Sequence, residues 1–263
     1  MIVFAPAKIN MGLRIIGKRN DGFHHLESYL YPVPLYDILE MLPSTKDELI
    51  QTGINSHTSI ADNIVFTAVR LLRQDYQIPY LRIHLHKQIP VESGLGGGSS
   101  DAVAVLKMLD TFFKLSISEE QMYEYAKTLG SDCPFFIKGI AAKITGRGEY
   151  VTTCNVSLKG RYVMIIKPDF SISTSKAFSR IIQFNTVALP KWESHSFSGL
   201  SNDFEDVLGE EKRTIDKIKG WMREQGAVYT SMSGSGSAVF GIFDKRVDLP
   251  FHASYFQWVG SLQ

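Results

Sequence analysis

The chain has 263 residues, 44% of them hydrophobic and 21% charged, and Lys+Arg 28 against Asp+Glu 27 leaves a net charge of +1. That composition is too apolar for intrinsic disorder and offers no polyelectrolyte field with which to gather nucleic acid or an anionic membrane, so any anion must be held by a local site. Two cysteines, Cys133 and Cys154, with no CxxC pair or Cys/His cluster, exclude a disulfide framework and a structural zinc site and fit a reducing compartment.

The opening Met1 to Lys8 lacks the basic start and long apolar stretch of a signal peptide. No run approaches the ~18 apolar residues of a membrane span. The chain is therefore expected to begin at Met1 and to stay in the cytoplasm. A strand is predicted over residues 9–16 and a helix over 62–74. Over 81–87, Leu81, Ile83 and Leu85 alternate with Arg82, His84 and His86, a strand with one polar face. After a glycine loop, Ala102, Val105, Leu106, Leu109, Phe112 and Phe113 recur at helical spacing, which predicts an amphipathic helix over 99–114. Ser118 with Gln121 reads as a capping box opening a helix that runs to Leu129, where Gly130 stops it.

Residues 161–167 and 229–243 carry strand patterns, the second broken by glycines and serines, and 214–225 reads as a helix ended by Gly226. The mixture predicts an α+β protein of two lobes, residues 1–153 and 154–263, with the junction between Gly148 and Gly160.

The strongest chemical signal is Pro90-Val91-Glu92-Ser93-Gly94-Leu95-Gly96-Gly97-Gly98-Ser99-Ser100-Asp101, between the strand ending near Lys87 and the next helix. Glycines let backbone N–H groups approach a ligand, and the helix start adds free N–H groups and a positive dipole end, so a phosphate chain is the natural guest. A plain flexible turn is the bland alternative, but strand, glycines, paired serines and helix stand in the order an anion site requires. The Rossmann spacing fails, because Ser99 or Asp101 stands where the last glycine belongs. The near-Walker stretch Gly12 to Lys18 has Arg19 where a magnesium-binding hydroxyl is needed, and no G-x-S-x-G elbow occurs.

Three segments together, Pro6-Ala7-Lys8-Ile9-Asn10, Gly94 to Ser100 and Ser233-Gly234-Ser235-Gly236-Ser237, resemble the three motifs of the GHMP kinases, named for galactokinase, homoserine kinase, mevalonate kinase and phosphomevalonate kinase. The match runs in family order from about residue 3 to 243. The resemblance implies an S5-like N-terminal lobe, a ferredoxin-like C-terminal lobe and an active site in the cleft. Asp21-Gly22-Phe23-His24 and Gly130 to Phe136 narrow it to a branch that uses ATP with Mg²⁺ to phosphorylate the 2-hydroxyl of a cytidine-diphosphate-linked methylerythritol, in the methylerythritol phosphate route to isoprenoids. A mevalonate- or homoserine-type kinase, or a nucleotide-binding module without catalysis, are the competing readings.

By that resemblance Asp132 is the catalytic base, Lys8 orients it and offsets charge on the reacting oxygen, and Asn10 bonds the substrate or the pair. From residues alone, Asp132 two before Pro134 reads equally as a helix N-cap, and Lys8 as a solvated strand lysine. ATP would be held by Pro90, Gly94, Leu95, Gly96, Gly97, Gly98, Ser99, Ser100 and Asn63, with Lys87 toward the adenine, or a plain strand-end charge, and Ser100 touching magnesium. The acceptor would meet His24 and Phe178 at its base, Phe23 and Thr174 nearby, Arg147 at its diphosphate, and Gly234 and Gly236 through backbone. Phe178 as core and Arg147 as an exposed loop side chain are the plain alternatives. Phe23 stands where many members have Tyr, so the phenolic hydrogen bond is absent. His84 and His86 share a face without a third metal ligand, and Glu210 to Arg213 reads as a solvated helix end.

Overall fold

The structure, a computed structural model, describes residues 1–54, 59–247 and 250–263. In chain order the strands are β1 (Ile2–Lys18), β2 (His24–Pro43), β3 (Glu48–Gly53), β4 (Leu81–Lys87), β5 (Ala142–Thr145), β6 (Tyr150–Thr153), β7 (Tyr162–Lys167), β8 (Tyr229–Met232), β9 (Val239–Phe243) and β10 (Phe256–Ser261). The helices are α1 (Ile64–Leu72), α2 (Gly97–Phe113), α3 (Glu119–Leu129), α4 (Cys133–Lys138), α5 (Thr174–Ser179) and α6 (Glu211–Glu224), with a 3-10 turn over Asp203–Val207. No helix among the described residues is long and apolar enough to cross a membrane.

Two compact units interleave along the chain: residues 1–7, 35–91 and 96–139 form the first, and 8–34, 92–95 and 140–263 the second. In the first, β4 lies between the later part of β2, antiparallel, and β3, parallel. Period two puts Leu35, Leu39 and Met41 of β2 and Leu81, Ile83 and Leu85 of β4 on the buried face. Helices α1, α3 and α4 pack on α2, whose Ala102, Val105, Leu106 and Leu109 are fully buried as their spacing predicts. The capping box at Ser118 forms in both directions, and Gly130 caps α3.

In the second unit, β5 pairs antiparallel with the early part of β2 and with β6. A four-stranded antiparallel sheet runs in the order β10-β7-β9-β8. Helix α6 turns Ile215, Ile218 and Met222 onto Met164, Ile166, Val239 and Phe243. Each such fully buried side chain is worth about 1.5–3 kcal/mol against exposure. The α6 start falls three residues before the predicted one, so Glu211 to Arg213 form its first turn. The long β2, with Pro32 and Pro34 inside it, lies outside the predicted elements, as do β3, β5, β6, β10 and α5, while α4 begins where the N-cap alternative for Asp132 placed a helix.

Candidate active site

The first unit carries the glycine loop from Gly96 onward. Helix α2 begins at Gly97, two residues before the predicted start, with Gly96 as N-cap in the left-handed region at φ 73°. Gly97 is buried over the end of β4: a Cβ on it would meet Ile89 at 2.9 Å and Lys87 Nζ at 3.2 Å. Gly98 is exposed, and Leu95 and Pro90 are buried. Ser100 is 2% exposed, and among the described residues its hydroxyl has no hydrogen-bond partner. A buried unpartnered hydroxyl in the first turn of a helix suits a phosphate oxygen or a magnesium ion riding on one, which demand oxygen donors.

Beneath the loop, Lys87 is an organising side chain. Its ammonium donates to Asp37 Oδ2 at 2.5 Å and Asp101 Oδ2 at 2.7 Å, all three residues being buried. Asp37 Oδ1 also accepts from the Gln88 and Ile89 amides, at 2.6 and 2.8 Å, so β2, β4, the loop and α2 are tied at one point. Burial pushes the Asp101 carboxyl up to about 8, against the opposing charge of Lys87 and with the Asp37 charge adding to the rise. Burial alone would lower the Lys87 ammonium, but the two carboxylates outweigh it and hold it above its ordinary value. Asp37 does not figure in the sequence reading, and Asp101 enters it only as the residue that ends the glycine-loop motif. The signal was there: Val33, Leu35, Asp37, Leu39, Met41 puts a charge in the core register of a strand, and Lys87 follows Leu81, Ile83 and Leu85 in the same way.

The pH consequence has a definite sign. Between the unfolded carboxyl value near 4 and the folded value about 8, the native state keeps a proton that the unfolded state has lost, so this group's contribution to stability falls as pH rises. Asp101→Asn mimics the protonated form. It is expected to cost less than about 1 kcal/mol near pH 5, and to gain on the wild type by an amount on the order of 1 kcal/mol or more as pH rises to 8. Urea titrations across that range measure the difference; a parallel pH dependence in both proteins contradicts it.

Asp132 occupies the N-cap position of α4, half-buried, but its side chain makes no capping hydrogen bond to the helix. The capping alternative is therefore not realised by the carboxylate. Its turn meets the phosphate loop's helix: a Cβ on Gly130 would lie 3.4 Å from Cys133 Sγ and 3.9 Å from Ser99 Oγ. Burial pushes the Cys133 thiol up to about 12, the Ser99 hydrogen bond opposing and Asp132 adding to the rise. Asn63 has a local task, since its Oδ1 accepts from Val65 N at 3.0 Å and caps α1.

The second unit holds the other cluster. Lys8 and Asn10 are each 2% exposed, which rules out the solvated-lysine reading. The odd positions of β1 from Ala5 to Ile15 fill the apolar face, and the opposite face buries these polar side chains. Lys8 Nζ donates to Asn10 Oδ1 at 2.7 Å, Asn10 Nδ2 to Ser28 Oγ at 2.8 Å, and Ser28 Oγ to the Gly12 carbonyl at 2.5 Å. Gly94 and the serine-glycine turn join them: Ser233 Oγ donates to the Gly94 carbonyl at 2.9 Å, and a Cβ on Gly234 would lie 3.4 Å from Lys8 Nζ. Gly234 and Gly236 both take positive φ, 54° and 92°.

His24 stacks on Phe178 with ring centroids 4.7 Å apart, and Phe178 meets Phe204 edge-on at 4.9 Å. Burial first, and then the Lys18 charge, lower the His24 imidazolium below its ordinary value, so the ring is neutral near pH 7. The Arg147 guanidinium lies 5.0 Å from the centroid of the exposed Phe23 ring. Thr174 Oγ1 pairs with Ser235 Oγ at 3.0 Å. The second unit thus gathers Lys8, Asn10, Gly94 and Gly234 in one cluster, His24 with Phe178 in another, and Phe23 with Arg147 in a third. Ser28 and Asn202, which complete the polar network with Ser233 of the third motif, were not singled out by sequence.

Comparison with known proteins follows the same lines. The models for the GHMP kinases N terminal domain and the GHMP kinases C terminal match residues 63–139 and 192–250. A 4-diphosphocytidyl-2-C-methyl-D-erythritol kinase of Bacteroides thetaiotaomicron is 43% identical over 95% of this chain and 94% of its own. One of Parabacteroides distasonis is 38% identical over 100% of both chains. A crystal structure of 4-(cytidine 5'-diphospho)-2C-methyl-D-erythritol kinase superposes with a TM-score of 0.76 at 29% identity, covering 92% of this chain and 90% of that one. With likeness at this level from end to end, the chain belongs to the GHMP kinase family.

Proposed function

We propose that the chain transfers the γ-phosphoryl group of ATP to the 2-hydroxyl of 4-diphosphocytidyl-2-C-methyl-D-erythritol, giving the 2-phosphate and ADP in isoprenoid precursor synthesis. The observation that carries this reading is the end-to-end likeness to relatives of that name. The site chemistry agrees with it. Phosphoryl transfer needs a cradle for the triphosphate, cations against the developing charge and an acceptor for the alcohol proton.

The loop from Gly94 to Ser100 is the proposed cradle, with Pro90, Lys87 and Asn63 around the nucleotide. Asp132 takes the proton of the 2-hydroxyl as its oxygen bonds to the γ-phosphorus; the bond to the β,γ-bridging oxygen breaks, and ADP departs with that electron pair. Lys8, buried and aligned by Asn10, stabilises the charge that develops on the reacting oxygens, where a low-dielectric setting makes it count. Magnesium bound with ATP would neutralise charge on the phosphates, with Ser100 as its protein contact. His24, Phe178, Phe23, Thr174, Arg147, Gly234 and Gly236 are proposed to receive the acceptor. A neutral His24 can donate or accept at a pyrimidine edge, which an imidazolium could not do both ways. The two-lobe division at 153/154 is proposed as the family boundary; the two family matches fall on either side of it. Cytoplasmic operation is proposed with it, because the reaction consumes ATP.

The test is ADP release from ATP with the diphosphocytidyl acceptor, mevalonate and homoserine in parallel. Turnover with the first and background rates with the other two are expected. Activity on mevalonate or homoserine alone moves the substrate assignment, and no turnover with any of them leaves the binding-module reading.

A further inference from the structure

The serine-glycine turn beside Lys8 is held by a residue that sequence motifs did not single out. Asn202, 2% exposed, spends both Nδ2 hydrogens on carbonyls of the turn, those of Met232 and Gly234, each at 2.8 Å. Its Oδ1 accepts from Phe204 N at 3.0 Å and so caps the 3-10 turn. Its own backbone is pinned to the strand that carries Lys8 and Asn10: it bridges to Leu13, whose amide donates to the Ser201 carbonyl at 2.8 Å. Glu205, one turn on, accepts from Met232 N at 2.7 Å and from Ser231 Oγ at 3.0 Å, and pairs with Lys219. The turn is therefore clamped through its carbonyls, and a Cβ on Gly234 would lie 3.4 Å from the Lys8 ammonium nitrogen.

Resting on the kinase reading above, we infer that Asn202 is a positioning residue: by occupying the carbonyls on either side of Ser233 it fixes Gly234 against Lys8 and leaves the ammonium for the transferring phosphoryl group. A carbonyl released beside a buried ammonium becomes an acceptor for it, since a charged donor forms the stronger hydrogen bond. That bond would compete with the anionic oxygens of the transition state. The clamp thereby acts on turnover more than on nucleotide binding, because the hydrogen bonds described for the Asn202 side chain lie within the second unit, at Met232, Gly234 and Phe204, whereas Gly96 to Ser100 belong to the first.

Asn, Asp and Ser are comparable N-caps, which separates the clamp from the cap. Asn202→Asp keeps an acceptor for Phe204 N but sets an anion against two carbonyls; Asn202→Ser keeps a cap in a side chain too short to reach both. Both are expected to lower kcat at least tenfold with the KM for ATP within threefold of wild type. In Asn202→Ser, amide exchange at Gly234 to Ala238 is expected to quicken at least tenfold while α6 stays protected. If Asp at 202 prevents folding, the Ser variant decides alone. Turnover within threefold of wild type in the folded variants, or unchanged exchange in the turn, overturns the inference. A wild type without kinase activity strikes the kinase reading instead, and the exchange measurement still judges the clamp.

Discussion

Asp132→Asn is expected to cut turnover by a factor on the order of 10² or more while ATP affinity stays within threefold, because removing a general base removes a transition-state interaction and little ground-state binding. Its use as a probe rests on the local structure. The carboxylate makes no capping hydrogen bond to α4, and the residue sits at φ −85°, ψ −16°, an ordinary right-handed conformation that Asn adopts without strain. Single-turnover kinetics with a nucleotide-binding titration checks both halves. Wild-type turnover in this variant removes Asp132 as the base, and a loss confined to ATP affinity assigns it to the nucleotide instead.

The second large effect belongs to backbone, at Gly94. The residue takes φ 77°, and a Cβ there would stand 1.9 Å from the Ser233 carbonyl oxygen and 2.8 Å from its carbon. Those are backbone atoms in a turn already fastened by Ser233 Oγ to Gly94 O and by Ala238 N to Ser93 O, so neither side can retreat cheaply. Gly94→Ala should then combine about 1–2 kcal/mol of left-handed strain with about 1–3 kcal/mol of overpacking. At roughly 2–4 °C per kcal/mol for a chain of this size, the melting temperature falls on the order of 10 °C. Gly98, four residues on in the same loop, is the control: its added Cβ would meet Ile64 at 3.8 Å, an ordinary contact, inside a helix where Ala is favoured. Gly98→Ala should melt with the wild type or above it. Equal melting of the two variants contradicts the argument.

What the sequence made legible follows the physics of each segment. Helices α2 and α3 and strand β4 carried unmixed periodicity, α3 with a side-chain capping box as well, and their bounds fall within two residues of those predicted. Strand β2 escaped because Pro32 and Pro34 interrupt its pattern and because residues 28–31 are buried on both faces, which erases alternation there. The motif residues of the site, Lys8, Asn10, Gly94 and Gly234, were readable as local strings, and the structure gathers them in one hydrogen-bonded cluster. Their supports were not readable that way. Asn202 reaches the Ser233 turn across about thirty residues of chain, and Asp37 reaches Lys87 across fifty. Such pairings are fixed by tertiary packing, and the trace they leave in a single sequence is a polar residue standing where a core side chain is due.

The central claim concerns one bond, so the most direct measurement looks at it. Wild-type protein, ATP with magnesium and the diphosphocytidyl acceptor are incubated together, and the product is read by phosphorus-proton correlation NMR. A new phosphomonoester signal on the 2-carbon of the methylerythritol unit, appearing in step with ADP, is the predicted result. ADP formed without any phosphorylated acceptor, or a phosphate carried on another hydroxyl, contradicts the account.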